Sequence, residues 1–587
     1  MIFTLRAKLS SSLKGKWTLR CVLILIFFVA LVLRFYRMYE EFYSGDMCYM
    51  AEEVLNAIPD QWTISNFIPR GDYNLGNPIR LIAFPKGPLW PILTFINALF
   101  FSLLGVELST TVWVLPIIVI GALTPIVCFY LLFRITEDQR TALLGALFIM
   151  VFPFHVLNSR YSKEVLGFFG QALIMLSLMN HIQKHSKRSA WLLGLSIGLY
   201  LFMHNLWIGI LPVIVYSTFV LVGEKDKFRL RTRRTLALLF QKEVIIIPVV
   251  ALVLLIGASV FASRDSGRAL SSGPLGYLLQ KSGMTSLGWY GTAYFRNLLN
   301  DSGILMGIAI IFCLIFGMKE FLRLSKSSVL WFWAVCYIIP FLFYVSPKIT
   351  LPRVYSSHGY QAMVLFFALM VGTHGFRNSR TSKATTLLLI ILLVSSLYTM
   401  LCTVYKFDRI NIFHLRDCQG SYRQPIGLKA AGYWLRKNTA STAQVFFFDY
   451  GGMGMEPSNS FYYARRYLMA LTDSPSLENT LYYLKTFAKE MDYLVIPNQH
   501  LQKIQRYVDS MFPYKVLGIE TEEGQTIAWI FSKKDPGSMQ IIKTNSSSRA
   551  FDKEFANLEQ LTGLERFSIA TKNPFFKYYN NALLKTR

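Results

Sequence analysis

Residues 84–104 read FPKGPLWPILTFINALFFSLL, a turn of two prolines, a glycine and one lysine opening onto an apolar run. Whether this run crosses a membrane decides how the whole chain threads. Eleven other apolar runs accompany it, at 21–35, 112–133, 141–157, 164–181, 190–203, 206–222, 243–262, 302–317, 329–345, 359–375 and 385–404. About 20 apolar residues in a helix cross a hydrocarbon core of about 30 Å. Four basic loops lie between these runs: 182–189, 223–242, 318–327 and 376–384. Suppose the amino terminus is cytoplasmic and 88–104 spans fully. All four basic loops then face outward, although short cytoplasmic loops are the ones that collect Lys and Arg. If 88–104 lies along the interface or re-enters, all four fall inside, together with the basic segment Arg6 to Arg20. Pro85 and Pro88 suit a helix that begins at the interface. The sequence therefore predicts a polytopic α-helical membrane protein of about eleven spans, amino terminus in the cytoplasm and carboxyl terminus outside.

The bulk numbers agree with that class. Of 587 residues 53% are hydrophobic and only 16% charged, against roughly 25% charged in soluble domains. The mean hydropathy is +0.38. A net charge of +26 raises the question of nucleic acid, but the charge sits in short loops beside apolar runs and no zinc-like Cys/His spacing accompanies it. No nucleic-acid partner is expected; the bilayer is, with its anionic headgroups. Five of the seven cysteines lie in or at the ends of spans, where a thiol is a small apolar group. Cys48 and Cys418 fall in loops assigned to the outside, and whether they are bridged is left open. The first span reads as an uncleaved anchor, since no small-residue cleavage site follows it.

Residues 1–20 form the basic amino terminus and 21–404 the membrane domain, whose first outer loop is 36–111. From 405 the pattern changes to mixed polar and apolar. Helices are expected over Gly427–Arg436 and Leu477–Glu490, strands over Gln444–Phe448 and Tyr493–Ile496, and a hairpin over Val516–Glu520 and Thr526–Phe531. This is a C-terminal soluble α/β domain, 405–535, on the outer face, followed by a polar tail, 536–587.

Ionisable groups at a membrane face are functional candidates by default. Asp46 stands alone as a charge in Tyr43-Ser44-Gly45-Asp46-Met47. It can accept a proton from a hydroxyl, or cap the helix that begins near Met47. Glu52 and Glu53 follow, Glu53 more simply as a solvated face. Lys86 can meet a phosphate as a point charge or snorkel from the start of an interfacial helix. Asn158-Ser159-Arg160-Tyr161-Ser162-Lys163-Glu164 lies between two spans. Arg160 offers a fork for phosphate and Glu164 a carboxylate at a helix mouth, unless the two simply pair at i, i+4. His204-Asn205 fills a short hairpin, and Ser346 to Tyr355 places Lys348 and Arg353 at the outer end of a span. The loop 263–301, with Arg268, Trp289, Tyr290 and Tyr294, reads as a lid or as an interfacial aromatic belt. There is no Walker A run, GxSxG elbow or HExxH.

These motifs in this order resemble the GT-C glycosyltransferases, most nearly the branch of protein O-mannosyltransferases and lipid A aminoarabinose transferases, over about residues 15–405. The resemblance implies transfer of a sugar from a polyprenyl-phosphate donor to a hydroxyl of a glycan, lipid or protein acceptor, at the outer face of the cell membrane. It implies Asp46, Glu52 and Glu164 as the catalytic acids, and Lys86, Arg160, Lys348 and Arg353 on the donor phosphate. His204, Tyr161 and Tyr355 are placed on the substrates. The chain departs from the pattern at several points: Met47 where the family often has Glu, Glu164 where it has Asp, Gly87 between the lysine and proline of the closing motif, and His204-Asn205 in place of a hairpin lysine. Pro85 replaces the acid that precedes that lysine in the aminoarabinose branch, and with it goes that branch's metal site. No cofactor is named by the sequence, and a divalent cation stays open. The reading from another class is a polar-lipid transporter or flippase, which would show inverted repeats and midspan charge; neither is evident.

Overall fold

The structure is a computed structural model, and it describes residues 16–36, 87–104, 110–161, 164–203, 207–222, 228–266, 302–343, 351–375, 379–405, 426–440, 443–447, 467–470, 488–521 and 526–544, with a few isolated positions between. The chain divides into two compact units, Met1–Tyr36, Ile82–Trp90 and Leu115–Tyr422 in one, Arg37–Leu81, Pro91–Val114 and Arg423–Arg587 in the other.

The helices of the first part are α1 (Lys16–Phe35), α2 (Leu89–Leu103), α3 (Thr110–Thr136), α4 (Gln139–Val151), α5 (Pro153–Tyr161), α6 (Glu164–Lys184), α7 (Lys187–Met203), α8 (Trp207–Leu221), α9 (Phe228–Leu239), α10 (Lys242–Ser266), α11 (Ile304–Leu322), α12 (Ser328–Phe343), α13 (Leu351–Met370), continued by a π turn at Val371–Gly375, and α14 (Ser379–Tyr405). Every apolar run named above contains a helix. By length and composition five of the described helices can cross a membrane, or seven when each bent pair counts as one span; four more apolar helices are shorter. Their outward sides carry exposed Leu25, Val32, Val253 and Ile315, as lipid-facing surfaces do, and the protein is a polytopic helical membrane protein.

Two corrections follow from backbone chemistry. The run 141–157 is one span by composition but two helices in space, bent by 55° at Phe152. Pro153 has no N–H and a fixed φ, so it opens a new helix and cannot continue the old one. Because α5 then runs on to Tyr161, the segment from Asn158 to Tyr161 is helical, not a loop. Likewise 223–242, read as a basic loop, holds the twelve-residue α9, set at 57° to α10.

Small residues and caps bring the helices close, as is usual within membranes. Backbone carbonyls of Glu243 and Val244 on α10 pass within 2.7 and 2.8 Å of where a Cβ on Gly194 of α7 would stand. Asp138 caps α4, accepting from the backbone N–H of Arg140 and Thr141 at 3.3 and 3.0 Å, which satisfies two of the donors that a helix start leaves open.

The C-terminal unit contains α15 (Ile426–Asn438), α16 (Asn498–Met511) and a six-stranded sheet of β1 (Gln444–Phe447), β2 (Tyr467–Ala470), β3 (Tyr493–Pro497), β4 (Tyr514–Thr521), β5 (Thr526–Ser532) and β6 (Gln540–Thr544), in the order β2-β1-β3-β5-β4-β6. β2, β1 and β3 run parallel; β5 is antiparallel to β3 and β4, and β6 is parallel to β4. Phe446, Leu494, Ile496 and Phe531 meet Leu501, Ile504 and Val508 of α16 in one core. This is the expected α/β domain with its hairpin. The sequence reading did not include β2, α16 or β6, and β6 lies in the stretch read as a polar tail. Of the expected helix 477–490, residues 477–483 lie outside the described residues, and the 3₁₀ turn Ala488–Glu490 closes it.

Candidate active site

Glu164 opens α6, and its side chain is 2% exposed while that of His358, two turns into α13, is 0% exposed. His358 Nε2 lies 3.2 Å from Glu164 Oε2. A carboxylate accepts, so Nε2 carries the proton. The pair joins residues far apart in sequence within the apolar bundle, where an ionisable side chain without a partner would be expensive. Arg353 and Tyr355 occupy the first turns of the same α13; their side chains lie outside the described residues.

Arg160 closes the last turn of α5 and is fully buried; its Nη1 donates to the carbonyl of Tyr36 at 2.8 Å. Tyr36 directly follows α1, so the guanidinium sits on the carbonyl end of that helix, where a cation is favoured. Arg160 thereby holds Tyr36, the last described residue before the stretch that the sequence reading assigns to the first outer loop. Beside it, Ser159 donates to the carbonyls of His155 and Val156 at 2.6 and 2.9 Å. His155 Nε2 lies 3.0 Å from the carbonyl of Gly121, which makes it the protonated nitrogen. Gly121 is where α3 and α5 touch: a methyl group there would collide with Ser159 and come within 3.0 Å of Arg34 Nε. Arg34, also fully buried, donates to its own helix at Ala30 over 2.8 Å.

A third set of buried polar groups stitches four helices together. Trp333 of α12 donates to Gln171 of α6 at 2.8 Å, and Gln171 donates to Tyr200 of α7, also at 2.8 Å. The Tyr200 hydroxyl lies 3.3 Å from that of Tyr337 on α12. The Tyr337 ring stands edge-on to His358 of α13 at 5.7 Å between centroids. The run of contacts ends at Glu164. Tyr200 and Met203, at the close of α7, also line the space beside Gly170.

Gly87 reaches the same end of α7. Gly87 has φ +108°, a left-handed conformation natural to glycine. A Cβ there would stand 2.7 Å from the Met203 carbonyl oxygen. The glycine that interrupts the lysine-proline motif is therefore required, both by its φ and by its contact. Trp90, three residues on, is fully buried. The turn after Lys86 and the residue before His204 are thus neighbours.

Of the site residues expected from sequence, Arg160 and Glu164 are placed, each at the end of a helix and each buried. Tyr161, Arg353 and Tyr355 are placed by backbone only. Asp46, Glu52, Lys86, His204 and Lys348 lie outside the described residues, as do Cys48, Cys418 and nearly all of the 263–301 loop. Among the described residues no group of three His, Cys, Asp or Glu could hold a metal ion. Arg34, His155, Gln171, Tyr200, Trp333, Tyr337 and His358 were not singled out beforehand. Their signal was present in the sequence: polar or ionisable side chains inside apolar runs.

The chain matches no protein-family model and no curated protein. Among solved structures it is similar in fold to ArnT from Cupriavidus metallidurans bound to undecaprenyl phosphate, at 12% identity and a TM-score of 0.56, covering 87% of this chain and 98% of that one. It is similar also to the oligosaccharyltransferase AglB from Archaeoglobus fulgidus, in complex with an inhibitory peptide and a dolichol-phosphate. That match has 15% identity and a TM-score of 0.52, covering 85% of this chain and 71% of that one. The chain shares the fold of these two proteins.

Proposed function

Starting from this shared fold, we propose that this protein is a membrane glycosyltransferase of the GT-C type that moves a sugar from a polyprenyl-phosphate donor to an acceptor hydroxyl on the outer face of the cell membrane. The single observation that carries the reading is the shared fold with two proteins solved with a polyprenyl phosphate, over more than four-fifths of this chain. The order of acidic and basic motifs along the sequence supports it.

In this reading Asp46 takes the proton of the acceptor hydroxyl as its oxygen attacks the anomeric carbon. The bond from that carbon to the phosphate oxygen breaks, and polyprenyl phosphate leaves with inversion in one displacement. Lys86, Arg160, Lys348 and Arg353 would neutralise the phosphate as charge develops on it. Glu164, held by His358, and Glu52 complete the acidic side; His204, Tyr161 and Tyr355 contact the substrates. Arg160 serves twice, since a guanidinium has five donors and one of them holds Tyr36. Nucleotide sugars stay in the cytoplasm, so a lipid-anchored phosphate is a reasonable leaving group on the far side. The acceptor class, glycan, lipid or protein, is left to experiment, as is a divalent cation.

The test is release of free polyprenyl phosphate from labelled mannosyl, glucosyl, galactosyl and arabinosyl donors in membranes supplied with native membrane extract. Wild type should consume one donor, and Asp46→Asn should lower the rate by at least a hundredfold. Unchanged release by Asp46→Asn would remove the base. Labelled lipid crossing the bilayer with no donor consumed, equally in both proteins, would make this a flippase.

A further inference from the structure

Helix α9 carries a feature that sugar transfer does not use. Its buried positions are Arg231, Thr235 and Leu238, at i, i+4 and i+7, one stripe of a 3.6-residue helix. Arg231 holds this face down, its guanidinium carbon 5.0 Å from the centre of the Phe219 ring on α8, a cation–π contact. The Phe228 ring meets the same Phe219 edge-on at 5.3 Å. Opposite runs a second stripe, Arg229, Arg233, Leu236 and Phe240, at i, i+4, i+7 and i+11, all exposed. Phe240 is 70% exposed and Leu236 49%. The stripe is therefore cationic at one end and hydrocarbon at the other.

The bend gives this polarity a direction. α10 is a long apolar helix whose exposed Ile246, Val249, Val250 and Val253 mark a lipid-facing side, and α9 joins it at 57°. The stripe is about 16 Å long at 1.5 Å per residue, so at that inclination it descends about 9 Å along the α10 axis. That is the depth over which a bilayer passes from phosphates to acyl chains. Four arginines within six positions cannot enter hydrocarbon, whereas the Leu236–Phe240 end continues into α10.

We infer that the outward stripe of α9 is a binding site for one anionic phospholipid, its phosphate on Arg229 and Arg233 and an acyl chain on Leu236 and Phe240. Charge complementarity selects the headgroup, since each arginine near a membrane surface favours an anionic lipid. The apolar half selects a lipid over a soluble phosphate. Exposed Arg140 at the start of α4, by contrast, is followed by no exposed large apolar side chain on its own helix.

The experiment uses the full chain in nanodiscs of phosphatidylcholine with or without phosphatidylglycerol, read by thermal unfolding and by native mass spectrometry of co-purified lipid. Phosphatidylglycerol should raise the melting temperature of wild type and remain bound to it. Arg229→Gln/Arg233→Gln should lose the rise and retain at least tenfold less phosphatidylglycerol, while Arg140→Gln behaves as wild type. Leu236→Ser/Phe240→Ser should also retain less lipid, although its arginines are intact. All five changed positions are exposed, so the variants fold. Equal retention by the Arg229/Arg233 variant would overturn the site. So would an equal rise in wild type on adding soluble glycerol phosphate, because the acyl contact would then be idle.

Discussion

Glu164 and His358 reach each other from opposite halves of the membrane domain, and neither touches solvent. A buried pair of this kind is worth little against a well-packed apolar substitute, but losing one partner leaves the other stranded. The expected outcome is a coupling of about 1–3 kcal/mol in a double-mutant cycle of Glu164→Gln and His358→Phe, measured by unfolding of the purified protein. Additive losses would mean that the two side chains are adjacent without cooperating. Glu164 was legible in the sequence because it stands at a helix mouth beside Arg160. His358 was not, since a lone histidine inside an apolar helix gives no hint of a partner 194 residues away. The same holds for Gln171, Tyr200 and Tyr337, whose hydrogen bonds cross between helices. Arg160 was found, but its hold on Tyr36 was not, because a side chain reaching a backbone carbonyl leaves no trace in residue type.

At the scale of elements, apolar run length placed every apolar helix of the bundle and the alternation of small strands placed most of the sheet. What it could not place was a break. Phe152 continues the apolar pattern, and only the missing N–H of Pro153 divides α4 from α5. α9 was missed for the opposite reason: four arginines outweighed the Arg231, Thr235, Leu238 stripe that marks a packed helix. Close helix contacts make a paired prediction. Gly121→Ala should destabilise by about 1–3 kcal/mol, since its methyl meets Ser159 and Arg34 in a packed seam. Gly257→Ala on α10, where a Cβ meets nothing within 4 Å, should be neutral or stabilising by up to about 1 kcal/mol. Equal melting temperatures for the two variants would contradict the α3–α5 seam.

For the molecule as a whole, the basic loops predict which side each part faces. With Cys21, Cys48 and Cys418 replaced by serine, Arg188→Cys should react with a membrane-impermeant maleimide only after permeabilisation. Gln505→Cys, on an exposed turn of α16, should react in intact cells. Labelling of Arg188→Cys from outside would reverse the topology, and would require 88–104 to cross the membrane after all. α2 is 15 residues long, about 22 Å at 1.5 Å per residue, which is short for a crossing. The first outer loop supplied the sequence reading with its leading candidates, which lie outside the described residues. Asp46 and Lys86 stood out there as isolated charges, whereas the side chains that support Glu164 had to be found in space.

Gly87 rests on the carbonyl of Met203, and that carbonyl is made only when the ribosome has finished α7. The turn after Lys86 therefore has nothing to settle against while the first spans are being inserted. Synthesis order makes the lysine turn one of the first parts translated, yet it cannot lock until α7 is complete. A nascent chain halted before α7 would expose the Gly87 peptide bond to an added protease, and a chain released after α7 would protect it.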